Sequence, residues 1–345
     1  MKCLITGSGT LGTELAIKLL HRNDWCSPAL GPADGPVNCT LVMLDHSEDA
    51  LWRTQEAVKK AVDDGILEPY GASFISYKLG DIRNKETVMD ILMPGKLMPG
   101  KYVSEVDTII HTAALKHVTF TNDNVAECID VNVNGTVNLL KCMRRSQVMN
   151  FVNVSSDKAC YPSNVYGQTK KLTEQATRWY AQETGRNIFS VRMGNFLGSR
   201  GSVIDRWKEQ HTAAHPLALT DPKMNRFFIK PREVADFIIK GIDKKWNDGD
   251  IYIPWMRVIN MKDLVSAVAT KWGTGYEIVG AMKGEKTDEM LVGYDEMERL
   301  DGYQNDSMVI RWKGVSDKRN GECMSTASVP VQSFDSVMRY IEDVV

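Results

Sequence analysis

The sequence predicts an α/β protein with a doubly wound parallel sheet. Short, continuously apolar segments alternate with helical patterns over residues 1–195, and a glycine-rich turn directly follows the first apolar segment. Continuously apolar strands are typical of a parallel sheet that helices cover on both faces. The predicted strands are Cys3 to Thr6, Thr40 to Leu44, Phe74 to Leu79, Thr108 to His111, Phe151 to Ser155 and Ile188 to Met193.

Helical patterns lie between these strands and at the end of the chain. One of them has clear ends, because Pro162 with Ser163 or Asn164 can open a helix and Gly185 suits a left-handed C-terminal cap. Two stretches, 25–38 and 313–326, have the composition of loops. The predicted helices lie near 11–21, 48–62, 125–145, 163–184 and 332–343.

Composition narrows the functional classes. The chain is 43% hydrophobic and 25% charged, with a formal net charge of -2. These values are ordinary for a globular protein and provide no field that attracts nucleic acid or an acidic membrane. The seven cysteines include no C-x-x-C pair, which favours reduced thiols. The sequence shows no signal-peptide pattern and no long apolar run. We therefore expect a cytoplasmic protein without a metal, membrane or nucleic-acid partner.

The glycine-rich turn is a G-x-G-x-x-G match between the first strand and the first helix. Glycines here let the backbone approach a pyrophosphate, and the helix N-terminus offers N–H groups to it. This context predicts dinucleotide binding, although glycines also serve tight turns for steric reasons. The predicted contacts are Gly7, Gly9, Thr10, Leu11 and Gly12.

Asp45 ends the second predicted strand, where an acid commonly accepts hydrogen bonds from the adenosine ribose. This position favours NAD over NADP, but His46 or Arg53 is able to meet a 2′-phosphate. Further along, Asp81 and Ile82 follow the third strand and are expected near the adenine. Asp81 can alternatively cap the next helix.

Small side chains follow the fourth strand at Ala113 and Ala114. They are expected where the backbone lies close to the dinucleotide. Simple packing explains these alanines equally well.

Tyr166 and Lys170 stand four residues apart on a predicted helix and therefore on one face of it. A lysine ammonium there favours tyrosinate, which makes Tyr166 a base toward a sugar hydroxyl. Both residues are also expected to contact the dinucleotide. Ser156, at the end of the preceding strand, can hydrogen-bond the same oxygen. Together they predict a site that oxidises a hydroxyl group.

Several motifs extend this prediction to a family. The chain resembles extended short-chain dehydrogenase/reductases that act on nucleotide sugars, and among them the UDP-N-acetylglucosamine 4,6-dehydratases of the CapD-like polysaccharide-biosynthesis family. The resemblance covers residues 1 to about 312. The motifs that carry it are 155–170, His111–Val118, Val191–Val203, Thr220–Phe228 and Gly284–Leu291.

The resemblance implies a dehydration mechanism. In the family an Asp-Lys pair distinguishes dehydration from oxidation or epimerisation, and Asp157 and Lys158 match it. The hexose is oxidised at C4 with Tyr166 as base, Lys158 removes the C5 proton, and Asp157 protonates the departing 6-hydroxyl. Hydride return to C6 gives a 4-keto-6-deoxy sugar and regenerates a tightly held NAD or NADP.

Two physical demands accompany this pair. Adjacent strand residues face opposite ways, so the chain must leave the strand for both to reach one sugar. Lys158 must also be neutral when it acts as a base, and we expect burial and nearby cations such as Lys170 to depress its pKa.

The resemblance also implies substrate contacts and an assembly. Arginine suits a bidentate grip on a diphosphate, and the predicted substrate-binding residues are Lys116, Asn195, Arg200 and Arg226. A UDP-sugar is the expected partner, and a homo-oligomer the expected assembly. Members that keep tyrosine at position 166 resemble C5-inverting dehydratases.

Departures from the family pattern lie outside the catalytic residues. The glycine turn is one residue shorter than usual, loop 25–38 is long, and Asn225 replaces a commoner threonine. We predict a Rossmann-type dinucleotide-binding domain at 1–195 with the catalytic residues. A smaller lobe at 196–345, interleaved with the first, mainly binds substrate.

Two alternatives remain open on the sequence. A nucleotide-sugar 4-epimerase shares Ser156, Tyr166 and Lys170 but does not need Asp157 and Lys158. A non-catalytic dinucleotide-binding protein on the same fold is less consistent with an intact Tyr/Lys pair.

Overall fold

The computed structural model describes residues 2–22, 41–93, 96–98, 101–102, 106–246, 249–281, 285–304, 307–311 and 324–345. The predicted loop 25–38 lies outside the described residues. Of the predicted loop 313–326, only residues 324–326 are described.

The described strands, in chain order, are β1 (Cys3–Thr6), β2 (Leu41–Asp45), β3 (Ile75–Leu79), β4 (Lys96–Met98), β5 (Lys101–Tyr102), β6 (Thr108–His111), β7 (Asn150–Val154), β8 (Asn187–Val191), β9 (Asn195–Phe196), β10 (Leu217–Leu219), β11 (Asn225–Ile229), β12 (Ile251–Pro254), β13 (Arg257–Asn260), β14 (Tyr276–Ile278), β15 (Leu300–Gln304) and β16 (Ser307–Ile310).

The described α-helices are α1 (Thr10–His21), α2 (Glu48–Asp63), α3 (Pro69–Ala72), α4 (Lys85–Leu92), α5 (Val118–Asp123), α6 (Val125–Cys128), α7 (Gly135–Arg144), α8 (Val165–Thr184), α9 (Val203–Thr212), α10 (Pro231–Asp243), α11 (Met261–Trp272) and α12 (Phe334–Tyr340). A π-helix spans Ile129–Asn134, and short 3₁₀ helices span Asp157–Ala159 and Met297–Arg299.

The main sheet has the order β15-β16-β12-β8-β7-β6-β1-β2-β3 among the described strands. Strands β3 through β12 in this order run parallel, whereas β16 and β15 are antiparallel. Separate apolar clusters cover the two faces, one around Leu15, Val152 and Ile238 and the other around Leu139 and Phe151. The predicted doubly wound parallel sheet is confirmed.

A smaller lobe packs around a third apolar cluster. Its centre is Trp207, with Leu264 and Ile341 beside it. The short sheet β13-β11-β9 belongs to this lobe. Strands β12, β15 and β16 also come after residue 195 but join the main sheet, so the chain passes between the two bodies more than once.

The predicted elements and the observed ones differ at specific places. All six predicted strands are present with their ends shifted by two residues or fewer, apart from Thr40, which lies outside the described residues. The predicted helix 125–145 is divided into α6, the π-helix and α7, and the final helix is shorter than predicted. Helix α4 is the helix expected after Asp81, for which no bounds were predicted. Helices α3, α5, α9, α10 and α11 were not predicted.

Helix α8 begins and ends at capping residues. Asn164 accepts a hydrogen bond from the Gly167 N–H, and Gly185 adopts φ 60° at the C-terminus, as the sequence predicts. Gly167 also permits close packing, because a Cβ there would lie 2.2 Å from the Lys158 carbonyl oxygen. This contact fixes α8 against the 3₁₀ helix Asp157–Ala159.

Arg192 anchors the C-terminal segment to the main sheet. Its guanidinium is 0% exposed and donates to both carboxylate oxygens of Glu174 and of Glu296, at 2.7 to 2.9 Å. It also donates to the Leu291 carbonyl at 2.7 Å. One buried cation therefore joins β8, α8 and residues 291–296.

In the described part of the chain, no helix combines the length and apolar character that a bilayer crossing requires.

Replacing Arg192 with alanine should destabilise the protein strongly. The change leaves two buried carboxylates without their cation, which costs about 3 to 5 kcal/mol in the free energy of unfolding. Urea unfolding measures the loss. The control Arg53→Ala removes an exposed ion pair with Asp49 and should change stability by about 1 kcal/mol or less. Equal effects of the two changes would contradict the anchoring role.

Candidate active site

A cleft of about 920 Å³ opens where the carboxyl ends of β1, β2, β6 and β7 face the smaller lobe. This is the edge at which doubly wound sheets bind ligands. Of the predicted site residues, Gly12 and Asp157 lie outside its wall. The wall contains Gly7, Gly9, Thr10, Leu11, Asp45, His46, Asp81, Ile82, Ala113, Ala114, Lys116, Ser156, Lys158, Tyr166, Lys170, Asn195, Arg200 and Arg226.

The glycine turn has the geometry that a pyrophosphate requires. Gly7 adopts φ 94°, and a Cβ at Gly12 would lie 2.0 Å from the Gly7 carbonyl oxygen. A Cβ at Gly9 would meet no atom within 4 Å, so open space lies in front of this residue. No side chain caps α1, which leaves its N-terminal dipole facing the cleft. The turn therefore fits a dinucleotide.

Asp45 is fixed beside this turn. Its carboxylate accepts hydrogen bonds from the Ser8 N–H at 2.6 Å and the Ser47 N–H at 2.9 Å, and His46 Nδ1 lies 3.2 Å away. Each oxygen retains lone-pair capacity for a ribose hydroxyl. His46 is largely exposed at the rim.

Asp81 and Ile82, which are expected near the adenine, line the same cleft as the glycine turn. Arg83 donates to both carboxylate oxygens of Asp81, and this hydrogen bonding lowers the pKa of Asp81. Asn84, not Asp81, caps α4, so the alternative role of Asp81 as helix cap is not observed. Ala113 packs directly against the glycine turn, because a Cβ at Gly7 would lie 2.7 Å from its backbone nitrogen.

The chain leaves the sheet where the catalytic pair begins. Strand β7 ends at Val154, and Asp157–Ala159 form a 3₁₀ turn that Ser156 caps. The Ser156 hydroxyl accepts from the Lys158 N–H at 3.3 Å and donates to Asp157 Oδ1 at 2.9 Å. The departure from the strand that the sequence argument required is thus present. Lys158 faces the cleft, whereas Asp157 is 0% exposed behind it.

Tyr166 lies beside Ser156 and Lys158. Burial raises the pKa of its hydroxyl, while the Lys158 ammonium and a hydrogen bond with Ser156 lower it, with a raised value as the net result. Lys170 instead donates to the Val154 carbonyl at 2.8 Å, and burial lowers its pKa to about 8. The cation that favours tyrosinate here is Lys158, whereas the spacing argument assigned this effect to Lys170.

Lys158 is held by acceptors on several elements. Its Nζ lies 3.0 Å from Asp157 Oδ1 and 3.3 Å from Asn195 Oδ1. Burial lowers the pKa of Lys158, but Asp157 and Glu289 raise it more, so the net pKa is above its usual value. The expected depression by nearby cations is therefore not observed.

Sequence reasoning missed Glu289. Its Oε1 lies 3.9 Å from Lys158 Nζ. The residue belongs to a motif that carried the family resemblance, and that motif was the available signal.

The predicted substrate residues are divided among different contacts. Lys116 donates to the Arg200 carbonyl at 2.7 Å. Arg200 reaches the glycine turn, where its guanidinium donates to the Ser8 carbonyl at 3.1 Å. Arg226 donates to the Thr287 and Lys286 carbonyls at 2.9 and 2.6 Å. Arg200 thus lies nearer the dinucleotide turn than the sequence prediction implied.

Comparison with known proteins gives consistent results. Residues 3–311 match the family model described as polysaccharide biosynthesis protein. An uncharacterized membrane protein of Methanocaldococcus jannaschii is 30% identical over 332 residues, which cover 92% of this chain and 88% of that protein. A UDP-N-acetylglucosamine 4,6-dehydratase (inverting) of Campylobacter jejuni is 30% identical over 240 residues, 68% of each chain. Relatives named UDP-glucose 4-epimerase also occur.

Solved structures share the fold. Pen from Bacillus thuringiensis aligns with a TM-score of 0.82 at 25% identity, over 99% of this chain and 97% of that one. More distant structures with TM-scores of 0.61 to 0.68 include dehydratases and epimerases determined with NAD. On the family match over residues 3–311, this chain belongs to the polysaccharide biosynthesis protein family.

Proposed function

We propose that the protein is a nucleotide-sugar 4,6-dehydratase that acts on UDP-N-acetylglucosamine or a close analogue. The observation that carries this proposal is the position of Lys158, which faces the cleft beside Tyr166 and is paired with Asp157. A 4-epimerase needs the tyrosine but has no use for a paired lysine and acid. Relatives named as inverting 4,6-dehydratases support the same reading.

The first step is oxidation at C4. A bound nicotinamide dinucleotide supplies the acceptor and donor of hydride. Tyr166 removes the O4 proton, and the Ser156 hydroxyl orients the same oxygen. The Lys158 ammonium favours the tyrosinate form that this step requires.

Elimination of water follows. The 4-ketone acidifies the C5 proton, and the Lys158 amine removes it. The acid is Asp157, which lies behind the cleft wall and bonds Ser156 at 2.9 Å. In this proposal its proton reaches the departing 6-hydroxyl through the Ser156 hydroxyl. Before elimination, a proton moves from the Lys158 ammonium to the Asp157 carboxylate across their 3.0 Å contact. This transfer gives the neutral amine and the neutral acid that the step requires.

The preferred cofactor in this proposal is NAD. The Asp45 carboxylate is fixed by two backbone N–H groups and faces the cleft. A 2′-phosphate would place negative charge against it.

The proposed reaction inverts the configuration at C5. Tyrosine at position 166 and relatives named as inverting dehydratases support this inversion.

The proposed setting is a homo-oligomer in the cytoplasm. Buried cysteines that form no disulfide among the described residues, such as Cys3, Cys128 and Cys142, fit a reducing compartment. Exposed apolar side chains on neighbouring helices support self-association, since large apolar patches mark interfaces. These side chains are Phe120, Val125, Ile129, Leu172 and Trp179.

Incubation with UDP-N-acetylglucosamine should give a product lighter by one water, measured by mass spectrometry. Tyr166→Phe removes the base for the O4 proton and should lower kcat by about 10² to 10⁴-fold. Tyr294→Phe, at a tyrosine that is 70% exposed, is the control. A product of unchanged mass would support the 4-epimerase, and unchanged turnover in Tyr166→Phe would remove Tyr166 from the mechanism.

Lys158→Ala should abolish entry of solvent deuterium at C5, because the variant lacks the base that removes the C5 proton. Binding of the dinucleotide should be unaffected. Product NMR in D₂O measures the exchange, and Lys171→Ala on α8 is the control. Exchange at the normal rate in Lys158→Ala would require a different base.

Asp45→Asn should narrow the preference for NAD over NADP by about tenfold, since a charge-assisted hydrogen bond contributes about 1.5 to 3 kcal/mol. Titration calorimetry with each dinucleotide measures the ratio. Asp64→Asn, at an exposed ion pair with Lys60, is the control. An unchanged ratio would mean that Asp45 does not select the cofactor.

A further inference from the structure

Glu289 is a buried carboxylate that the proposed chemistry does not use. The residue is 4% exposed. Its backbone is fixed in both directions, because its N–H donates to Thr326 Oγ1 at 3.1 Å and its carbonyl accepts from the Thr326 N–H at 2.9 Å. The backbone of Glu289 therefore has a defined position beside the cleft.

The carboxylate of Glu289 is incompletely satisfied. Oε1 lies 3.9 Å from Lys158 Nζ, and Oε2 has no hydrogen-bond partner among the described residues. Asp157 Oδ2, in the carboxylate whose Oδ1 lies 3.0 Å from the lysine, also has none there. Buried carboxylate oxygens without partners are costly. Lys158 is thus one cation between two buried acids, each with an unpaired oxygen.

Two buried carboxylates, Asp157 and Glu289, share the Lys158 ammonium. Asp157, Glu289 and Tyr166 face Lys158. Glu289 faces Asp157 as well as the cations Lys158, Arg226 and Lys286.

Like charges in a buried site oppose joint ionisation. Burial raises the pKa of Glu289, and the charge of Asp157 raises it further against the lowering by Lys158. The pKa of Glu289 is therefore above its usual value, and a change in its charge acts on Lys158 at a distance of 3.9 Å.

We propose that Glu289 is a positioning residue that sets the charge of Lys158 and so decides when Lys158 can act as a base. Ionised Glu289 holds Lys158 as an ammonium group. Protonated Glu289 lets the Lys158 proton pass to Asp157, which leaves a neutral amine and a neutral acid. Elimination requires the neutral Lys158 amine as the base and the neutral Asp157 acid as the proton donor. The kinetic part of this inference rests on the proposed function, whereas the effect on Lys158 does not.

The test is Glu289→Gln, which keeps the size of the side chain and removes its charge. Loss of the neighbouring carboxylate lowers the pKa of Lys158, so its titration midpoint should fall by about 1 to 3 pH units. NMR of ¹³C,¹⁵N-labelled lysine measures this midpoint without substrate, with the signal assigned by Lys158→Arg. Glu298→Gln, at an exposed glutamate in the same segment, should leave it unchanged.

Kinetics provide the second readout. The neutral Lys158 amine is available at lower pH in Glu289→Gln. In a plot of the C5 deuterium-exchange rate against pH, the fall in rate on the acid side (the acid limb) should therefore move to lower pH. Glu289→Asp keeps the charge and should restore most of the wild-type profile. Thermal unfolding confirms that each variant is folded.

The outcomes separate the two proposals. An unchanged Lys158 midpoint in folded Glu289→Gln would overturn the inference, and so would a fixed acid limb. If wild-type protein removes no water from any sugar nucleotide while the midpoint still shifts, the proposed function fails and the control of Lys158 by Glu289 stands.

Discussion

The architecture of the site depends on the burial of Arg192 between two carboxylates. An unpaired charge in this position is strongly unfavourable. The folded protein therefore keeps Arg192 paired with both Glu174 and Glu296. Residues 291–296 are drawn onto the main sheet by this contact, and Glu289 lies two residues before them. The position of an acid beside Lys158 is thus a consequence of charge pairing in the core.

Close packing provides the second constraint. Gly167 brings α8 against the turn at Asp157–Ala159, and the same helix carries Tyr166 and Lys170. A larger residue at 167 would separate the tyrosine from the lysine that modulates its pKa. The short 3₁₀ turn, the glycine and the helix therefore act together to place Tyr166 beside Lys158 in the wall of the cleft.

Local patterns were sufficient for the six predicted parallel strands of the main sheet and for the ends of α8, because apolar continuity, Asn164 and Gly185 act within a few residues. They did not predict β12, β15 and β16, which complete that sheet. They were insufficient where distant parts of the chain meet. The π-helix at Ile129–Asn134 interrupts a sequence whose apolar period reads as one helix. The acceptor of Lys170 and the proximity of Glu289 to Lys158 depend on tertiary contacts across more than a dozen residues, so spacing alone assigned the wrong electrostatic partner to Tyr166.

The separation of the core charges along the chain has a consequence for biosynthesis. Arg192 precedes Glu296 by 104 residues. A nascent chain on the ribosome can complete β1 through β8 while one side of this guanidinium still lacks its carboxylate. The contact that holds residues 291–296 therefore forms only after the 104 residues that follow Arg192 have been translated. A chain that terminates before Glu296 leaves the buried Arg192 with Glu174 as its one remaining carboxylate partner of the two, and loss of a partner from a buried ion pair is strongly destabilising.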